Sequence, residues 1–232
     1  IGTDKKLWAV VSLITVVTML LQATVPDPEL ENGWNGLFFI FGNSYLYALF
    51  LLPLYLVVIN EIGNEGGAAW ARAVVIRLGQ KTNWFLTQFV VLLLVSLWFA
   101  AFVIGMVLVQ SILTWGYDPN WSQFTVQGDD KYTYFATEFT PWQALAFYGI
   151  RYFWGLLMMG TLFLCLQCIT KRRSPGGCMI AVFFYVALQA FFKVGNIPLL
   201  NILDIGNHTI YSFNHNVSSP LLFIIQSHIA LL

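Results

Sequence analysis

The side chains of this sequence that could do chemistry are few and lie far apart. The three histidines, His208, His215 and His228, are spaced by 7 and 13 residues, which does not match a zinc site on one helix. Neither an H-E-x-x-H nor a G-x-S-x-G motif is present, which argues against a zinc protease and a serine hydrolase. Cys165 and Cys168 have redox-motif spacing, but they lie in an apolar helix, where buried thiols are the simpler interpretation. An intramembrane enzyme is therefore disfavoured. We predict no catalytic residue, no metal site and no cofactor on this chain.

The composition indicates which class of protein would have to position any reactive side chains. Hydrophobic residues make up 58% of the 232 positions and charged residues only 9%. A soluble domain usually carries about 25% charged residues, so a soluble globule is excluded, and so is a disordered chain. The net charge of zero gives no indication of a nucleic-acid partner. The apolar runs are continuous and do not alternate, which predicts an all-α polytopic membrane protein.

Six apolar stretches predict six transmembrane helices in a single transmembrane domain covering residues 1–232. A span needs about 20 apolar residues, and the sixth stretch is the weakest match. The first stretch is interpreted as a retained span and not as a cleaved signal peptide, and we expect further chain before Ile1. For the sixth stretch, either the helix starts near Ile210 or the chain continues beyond Leu232. The predicted spans cover about residues 7–25, 36–59, 85–114, 142–170, 178–193 and 210–232.

The basic residues predict the topology. With the N-terminus inside, eight of the eleven lysines and arginines fall in inside segments, as the positive-inside rule requires. Both termini are then cytoplasmic, and the outer loops are residues 26–35, 115–141 and 194–219. A tight inside turn is predicted from Lys171 to Gly177. The eight inside residues are Lys5, Lys6, Arg72, Arg77, Lys81, Lys171, Arg172 and Arg173.

The inside segment 60–84, between spans two and three, has an amphipathic pattern. Arg77 and Lys81 fall one turn apart on a polar face, which predicts a short helix over about 68–80 at the membrane surface. Glu61 and Glu65 are expected at the N-terminal end of this helix, where the helix dipole favours acids. An ordinary amphipathic connector anchored by tryptophans is the alternative. The apolar residues at helical spacing are Trp70, Val74, Val75 and Leu78.

This segment resembles the permeases of the ABC-2 class of ABC transporters. The shared pattern is a carboxylate after the second span, a Gly- and Ala-rich step with a Trp, then an Arg and a Lys before a long third span. It is most similar to the small bacterial members near the lantibiotic-immunity and antimicrobial-peptide exporters. One departure is Ile76, where the family often has a Pro before the Arg. The resemblance implies an ATPase-coupling interface formed by Glu61, Glu65, Trp70, Arg77 and Lys81.

The resemblance also implies partners and a location. No G-x-x-x-x-G-K-[ST] occurs in the chain, so ATP and Mg²⁺ would be bound by a separate cytoplasmic ATP-binding subunit. A second permease copy or a homologous permease would complete the path in a bacterial plasma membrane. The implied substrate is amphiphilic: a peptide, an antibiotic or a lipid. An ion or solute channel or a secondary carrier is the alternative, although no acid lies mid-span to couple ions.

Arg151 is the ionisable residue predicted deepest in a span, about ten residues into the fourth. A central Arg costs roughly 2.5–3.5 kcal/mol to insert, so it should face protein or water. With Tyr148, Tyr152 and Trp154 it is a candidate substrate contact or outer gate. The alternative is an arginine that extends outward to Glu138 or to lipid phosphate.

Gln110 and Gln167 are expected to form helix–helix hydrogen bonds, and Pro53 predicts a bend in the second helix.

Overall fold

The computed structural model describes residues 5–23, 32–41, 46–64, 81–123, 136, 139–170 and 175–192. Within these ranges the regular structure is helical and contains no strand, which confirms the all-α prediction. The α-helices are α1 (Lys5–Gln22), α2 (Gly33–Phe41), α3 (Leu52–Asn64), α4 (Lys81–Trp115), α5 (Pro141–Ile169) and α6 (Pro175–Phe192). A π-helical segment, Tyr47–Leu51, leads directly into α3.

Among the residues that the structure describes, two helices are long and apolar enough to cross a membrane. They are Leu86–Trp115 and Pro141–Ile169, and the 18-residue windows that qualify them have mean hydropathies of 2.8 and 1.7. Each exceeds the roughly 20 residues that a hydrocarbon core requires. Shorter apolar helices cover Val11–Leu20, Leu49–Asn60 and Pro175–Leu188. The predicted sixth span and the outer loop 194–219 lie outside the described residues.

One face of α4 presents apolar side chains outward. Leu86, Val90, Leu94 and Leu97 follow one another at intervals of three or four residues and are 47–62% exposed. Ile180, Phe184 and Leu188 form a similar stripe on α6. A contiguous apolar surface of this kind marks a membrane or protein contact, whereas scattered exposed leucines would not.

The second predicted span contains a π-helical segment. The sequence predicted one helix over 36–59; the structure has α2 to Phe41, the π-helical segment from Tyr47 and then α3, while residues 42–45 lie outside the described residues. Pro53 lies in the first turn of α3, directly after this segment. Proline has no N–H to donate to the carbonyl four residues earlier, so the regular α-helical pattern breaks on its N-terminal side.

The ends of the predicted inside segment 60–84 belong to long helices. Helix α3 continues to Asn64 and α4 begins at Lys81. Glu61 lies in the last turn of α3, and the helix over about 68–80 that it was predicted to precede lies outside the described residues. Glu65, Trp70 and Arg77 lie outside the described residues.

The turn predicted from Lys171 to Gly177 is also shorter than expected. Helix α6 begins at Pro175, so Gly176 and Gly177 are helical. Proline suits the first position of a helix, because the N–H that it lacks would have no partner there. Residues 171–174 lie outside the described residues.

Hydrogen bonds between side chains of different helices join the helices at three places in the apolar core. The Thr18 hydroxyl bonds to Gln110 Oε1 at 2.6 Å, which joins α1 to α4. The Tyr55 and Ser96 hydroxyls are 2.7 Å apart and join α3 to α4. Gln167 of α5 donates through Nε2 to Asn60 Oδ1 of α3 at 3.5 Å. The helix–helix hydrogen bonds predicted for Gln110 and Gln167 are therefore confirmed.

Candidate functional site

Arg151 is buried on the inward face of α5. Its side chain is 3% exposed, and the neighbouring Tyr148 and Tyr152 are buried with it. Residues at positions i, i+3 and i+4 share one helix face, so the three side chains lie on the same side of α5. The alternative prediction, an arginine that extends outward to lipid phosphate, is wrong because the protein covers this side chain. Glu138 lies outside the described residues.

Trp154, the fourth member of the predicted group, lies in a different environment. It is only half-buried, and its ring packs against Phe153 with the centroids 5.6 Å apart. The structure therefore brings Tyr148, Arg151 and Tyr152 together on a buried face of α5. Trp154 is less buried than these three residues.

Helix α2 supplies two further aromatic rings to this face. Phe41 lies 4.8 Å from Tyr148 and 5.6 Å from Tyr152, measured between ring centroids. Phe38 lies 6.5 Å from Tyr148 in an edge-on arrangement. Tyr148 and Tyr152 are stacked at 5.8 Å with 15° between their planes. We call these four rings the aromatic cluster: Phe38, Phe41, Tyr148 and Tyr152.

The sequence did not single out Phe38 or Phe41. Both lie in a uniformly apolar run, where a phenylalanine facing a neighbouring helix and one facing lipid look alike. Their spacing of three residues is compatible with one helix face, but it does not say which helix that face contacts.

The N-terminal end of α2 is bound to the chain that follows α4. The Gly33 amide donates to the Gly116 carbonyl at 3.0 Å, and the Trp34 indole Nε1 donates to the Asp118 carbonyl at 2.7 Å. Asn32 Nδ2 donates to the Asn120 carbonyl at 2.9 Å. We call these three bonds the loop network. Residues 33–35 were predicted to lie in an outer loop, but they are helical, and Trp34 is buried at 1% exposure.

A close approach of backbones accompanies the loop network. A Cβ on Gly36 would overlap the ring of Trp115, and one on Gly33 would lie 3.0 Å from the Gly116 carbonyl oxygen. The Trp34 ring meets that of Trp142, at the start of α5, edge-on at 4.9 Å. The beginnings of α2 and α5 and the end of α4 thus meet at one end of the bundle, which we call the Trp34 end.

The described residues offer little for metal or covalent chemistry. Among them, no group of three or more His, Cys, Asp or Glu residues lies close enough to hold a metal ion. Cys165, Cys168 and Cys178 are all free thiols; the first two are exposed on α5, and Cys178 is buried on α6. What this arrangement does offer is a buried arginine on the same helix face as two stacked tyrosine rings, which suits binding.

No family model matches this chain, and no curated protein and no solved structure is significantly similar to it. The ABC-2 resemblance therefore depends on the residues of segment 60–84 together with the pattern of apolar stretches.

Proposed function

We propose that this chain is the membrane-spanning permease subunit of an ATP-driven transporter of the ABC-2 class, and that it exports an amphiphilic substrate. A separate cytoplasmic subunit binds ATP and Mg²⁺ and drives the permease. A second permease copy or a homologous permease completes the path across a bacterial plasma membrane.

The observation that carries this proposal is the burial of Arg151 in α5. A cation on the inward face of a helix with spanning length is expensive in hydrocarbon, and such residues usually serve transport or signalling. No Asp or Glu occurs in either candidate span, which disfavours ion-coupled transport.

Segment 65–80 joins two helices that would transmit force from an ATPase to the core. It connects the end of α3 to the beginning of α4, and these helices are joined inside the core by Tyr55 and Ser96. Asn60, near the end of α3, bonds to Gln167 near the end of α5. Force applied to the segment would therefore reach α3, α4 and α5 together. The resemblance supplies the contacts with the ATPase, above all Arg77 and Lys81.

The test is to co-express the chain with the ATPase encoded beside it and to purify the complex. We expect the double variant Arg77→Glu with Lys81→Glu to lose the ATPase subunit and the stimulation of ATP hydrolysis by substrate. The matched control is Lys171→Glu with Arg172→Glu, which makes the same charge change in another predicted inside segment.

Two results would contradict the proposal. One is a double variant that retains the complex and its coupled ATP hydrolysis. The other is flux of solute down its gradient through liposomes that contain the purified chain without any ATPase, which would favour a channel or a carrier.

A further inference from the structure

We propose that Arg151 and the aromatic cluster form a binding site for the anionic head group of an amphiphile, and that α2 is the lid that covers this site. The inference deepens the proposed function and rests on it for one point, that the amphiphile is the exported substrate. The binding site itself is argued from the geometry of α2 and α5.

The chemistry of Arg151 selects an anion. Its guanidinium stays charged at any physiological pH and carries five N–H donors in a planar fork that matches a carboxylate or phosphate. Hydrogen bonds from such a group to an oxyanion are about twice as strong as neutral ones. Five donors leave room for a ligand oxygen beside the contacts that the protein itself makes. A cationic head group would be repelled at the same place.

The aromatic cluster suits the apolar part of an amphiphile. The rings of Tyr148 and Tyr152 are nearly parallel and lie on the same helix face as Arg151, and Phe41 packs against both rings. Aromatic rings offer a large apolar surface, and tyrosines add a polar hydroxyl where a head group meets its tail. The combination of one cation and several rings therefore fits a molecule with an anionic end and an apolar body.

The structure shows the site closed. Arg151 is 3% exposed, so a ligand reaches it only if something moves. Helix α2 is the element that covers the tyrosines of the site, since it contributes the two phenylalanines of the cluster. The loop network holds its N-terminal end, whereas beyond its other end the chain leads to the π-helical segment. Such segments often occur at functional sites. Rotation of α2 about its N-terminal residues, which lie at the Trp34 end, would separate Phe41 from Tyr148 and leave the loop network intact.

The experiment measures head-group preference with the full chain in nanodiscs of zwitterionic lipid. The probes are radiolabelled dodecyl phosphate and dodecyltrimethylammonium, which share one alkyl tail and differ in charge. We expect the wild-type chain to bind the phosphate at least about tenfold more tightly. Arg151→Gln should remove this preference, and Arg151→Lys should retain part of it. The matched control is Arg172→Gln, the same change in a residue that follows the opposite end of α5; it should keep the full preference.

A second measurement tests the lid. Phe41→Ala removes the ring that contacts both tyrosines, so dodecyl phosphate should associate at least about threefold faster than with the wild-type chain, since lid opening limits access. Phe184→Ala, the same truncation at a residue that is 61% exposed on α6, should leave the association rate unchanged.

The outcomes separate the alternatives. Equal affinity of the wild-type chain for the two probes, or an unchanged preference in Arg151→Gln, would overturn the binding site. Equal association rates for Phe41→Ala and wild type would overturn the lid, and this holds even if Arg151→Gln fails to fold. Loss of the Arg151-dependent preference in discs that contain phosphatidylglycerol would show that a bilayer lipid occupies the site and would overturn the substrate assignment. No ATPase is present, so failure here and failure of the proposed coupling are distinguishable.

Discussion

Thr18 and Gln110 join α1 to α4 through a 2.6 Å hydrogen bond between the threonine hydroxyl and the amide oxygen Oε1. Both residues are buried, Thr18 completely, among apolar side chains. The amide nitrogen of Gln110 also donates to the Thr15 carbonyl at 3.5 Å. Both the oxygen and the nitrogen of the Gln110 side-chain amide thus bond to α1, which fixes the position of α1 along α4.

Replacement of Thr18 by Val should destabilise the protein by about 0.6–2 kcal/mol, because the variant keeps the shape but leaves Gln110 Oε1 without its donor. The measurement is the unfolding midpoint in mild detergent. A double-mutant cycle with Gln110→Leu isolates the pair. Exactly additive effects of the two substitutions would show that the hydrogen bond contributes nothing.

The close approach of α2 to α4 makes Gly36 sensitive to the addition of a single methyl group. Gly36→Ala should cost about 1–3 kcal/mol, since its Cβ would overlap the Trp115 ring. Gly105→Ala is the matched control. Gly105 lines an apolar groove of about 410 Å³ on α4, and a Cβ there would meet nothing within 4 Å. This control should be neutral or slightly stabilising, because alanine favours a helix. Equal thermal shifts for the two variants would contradict the packing described.

The indole of Trp34 forms one hydrogen bond of the loop network. Loss of this bond should change the exchange of nearby amides only. Trp34→Phe removes the donor to the Asp118 carbonyl and should cost about 0.5–1.5 kcal/mol. Amide hydrogen exchange should accelerate in residues 116–122. The control is Trp98→Phe, the same change in a tryptophan that is 48% exposed on α4. Unchanged exchange in the loop of the Trp34 variant would mean that the loop network does not hold that loop.

The exposed stripe of α4 predicts direct contact with lipid tails. A spin label at Leu94, which is exposed, should be accessible to oxygen and inaccessible to a polar nickel reagent in liposomes. A label at the buried Ser96, two residues away, should be inaccessible to both. A label at position 94 that the nickel reagent reaches as readily as in water would show that this face of α4 lies outside the bilayer.

The parts of the fold that the sequence predicted well are those fixed by hydropathy. Helices α4 and α5 lie within a few residues of the predicted 85–114 and 142–170, because long apolar runs with abrupt polar ends leave little choice. The cost of an arginine in hydrocarbon predicted that Arg151 would face inward, and it does. The coupling role of residues around Arg77 stays a prediction.

The parts that the sequence missed depend on contacts that side-chain patterns do not encode. The acceptors of the loop network are backbone carbonyls, which every residue possesses. The π-helical segment over Tyr47–Leu51 lies inside an apolar run whose periodicity is uniform, so Pro53 was the only local sign of it. The approach of Gly36 to Trp115 joins residues that are far apart in the chain.

The π-helical segment at Tyr47–Leu51 has a geometric consequence for the two halves of this region. A π turn accommodates one residue more than an α turn, so the side chains on either side of it are about 100° out of phase with those of an unbroken helix. Tyr55 follows this π turn, so the offset sets the direction in which its ring faces, and its hydroxyl lies 2.7 Å from that of Ser96 on α4.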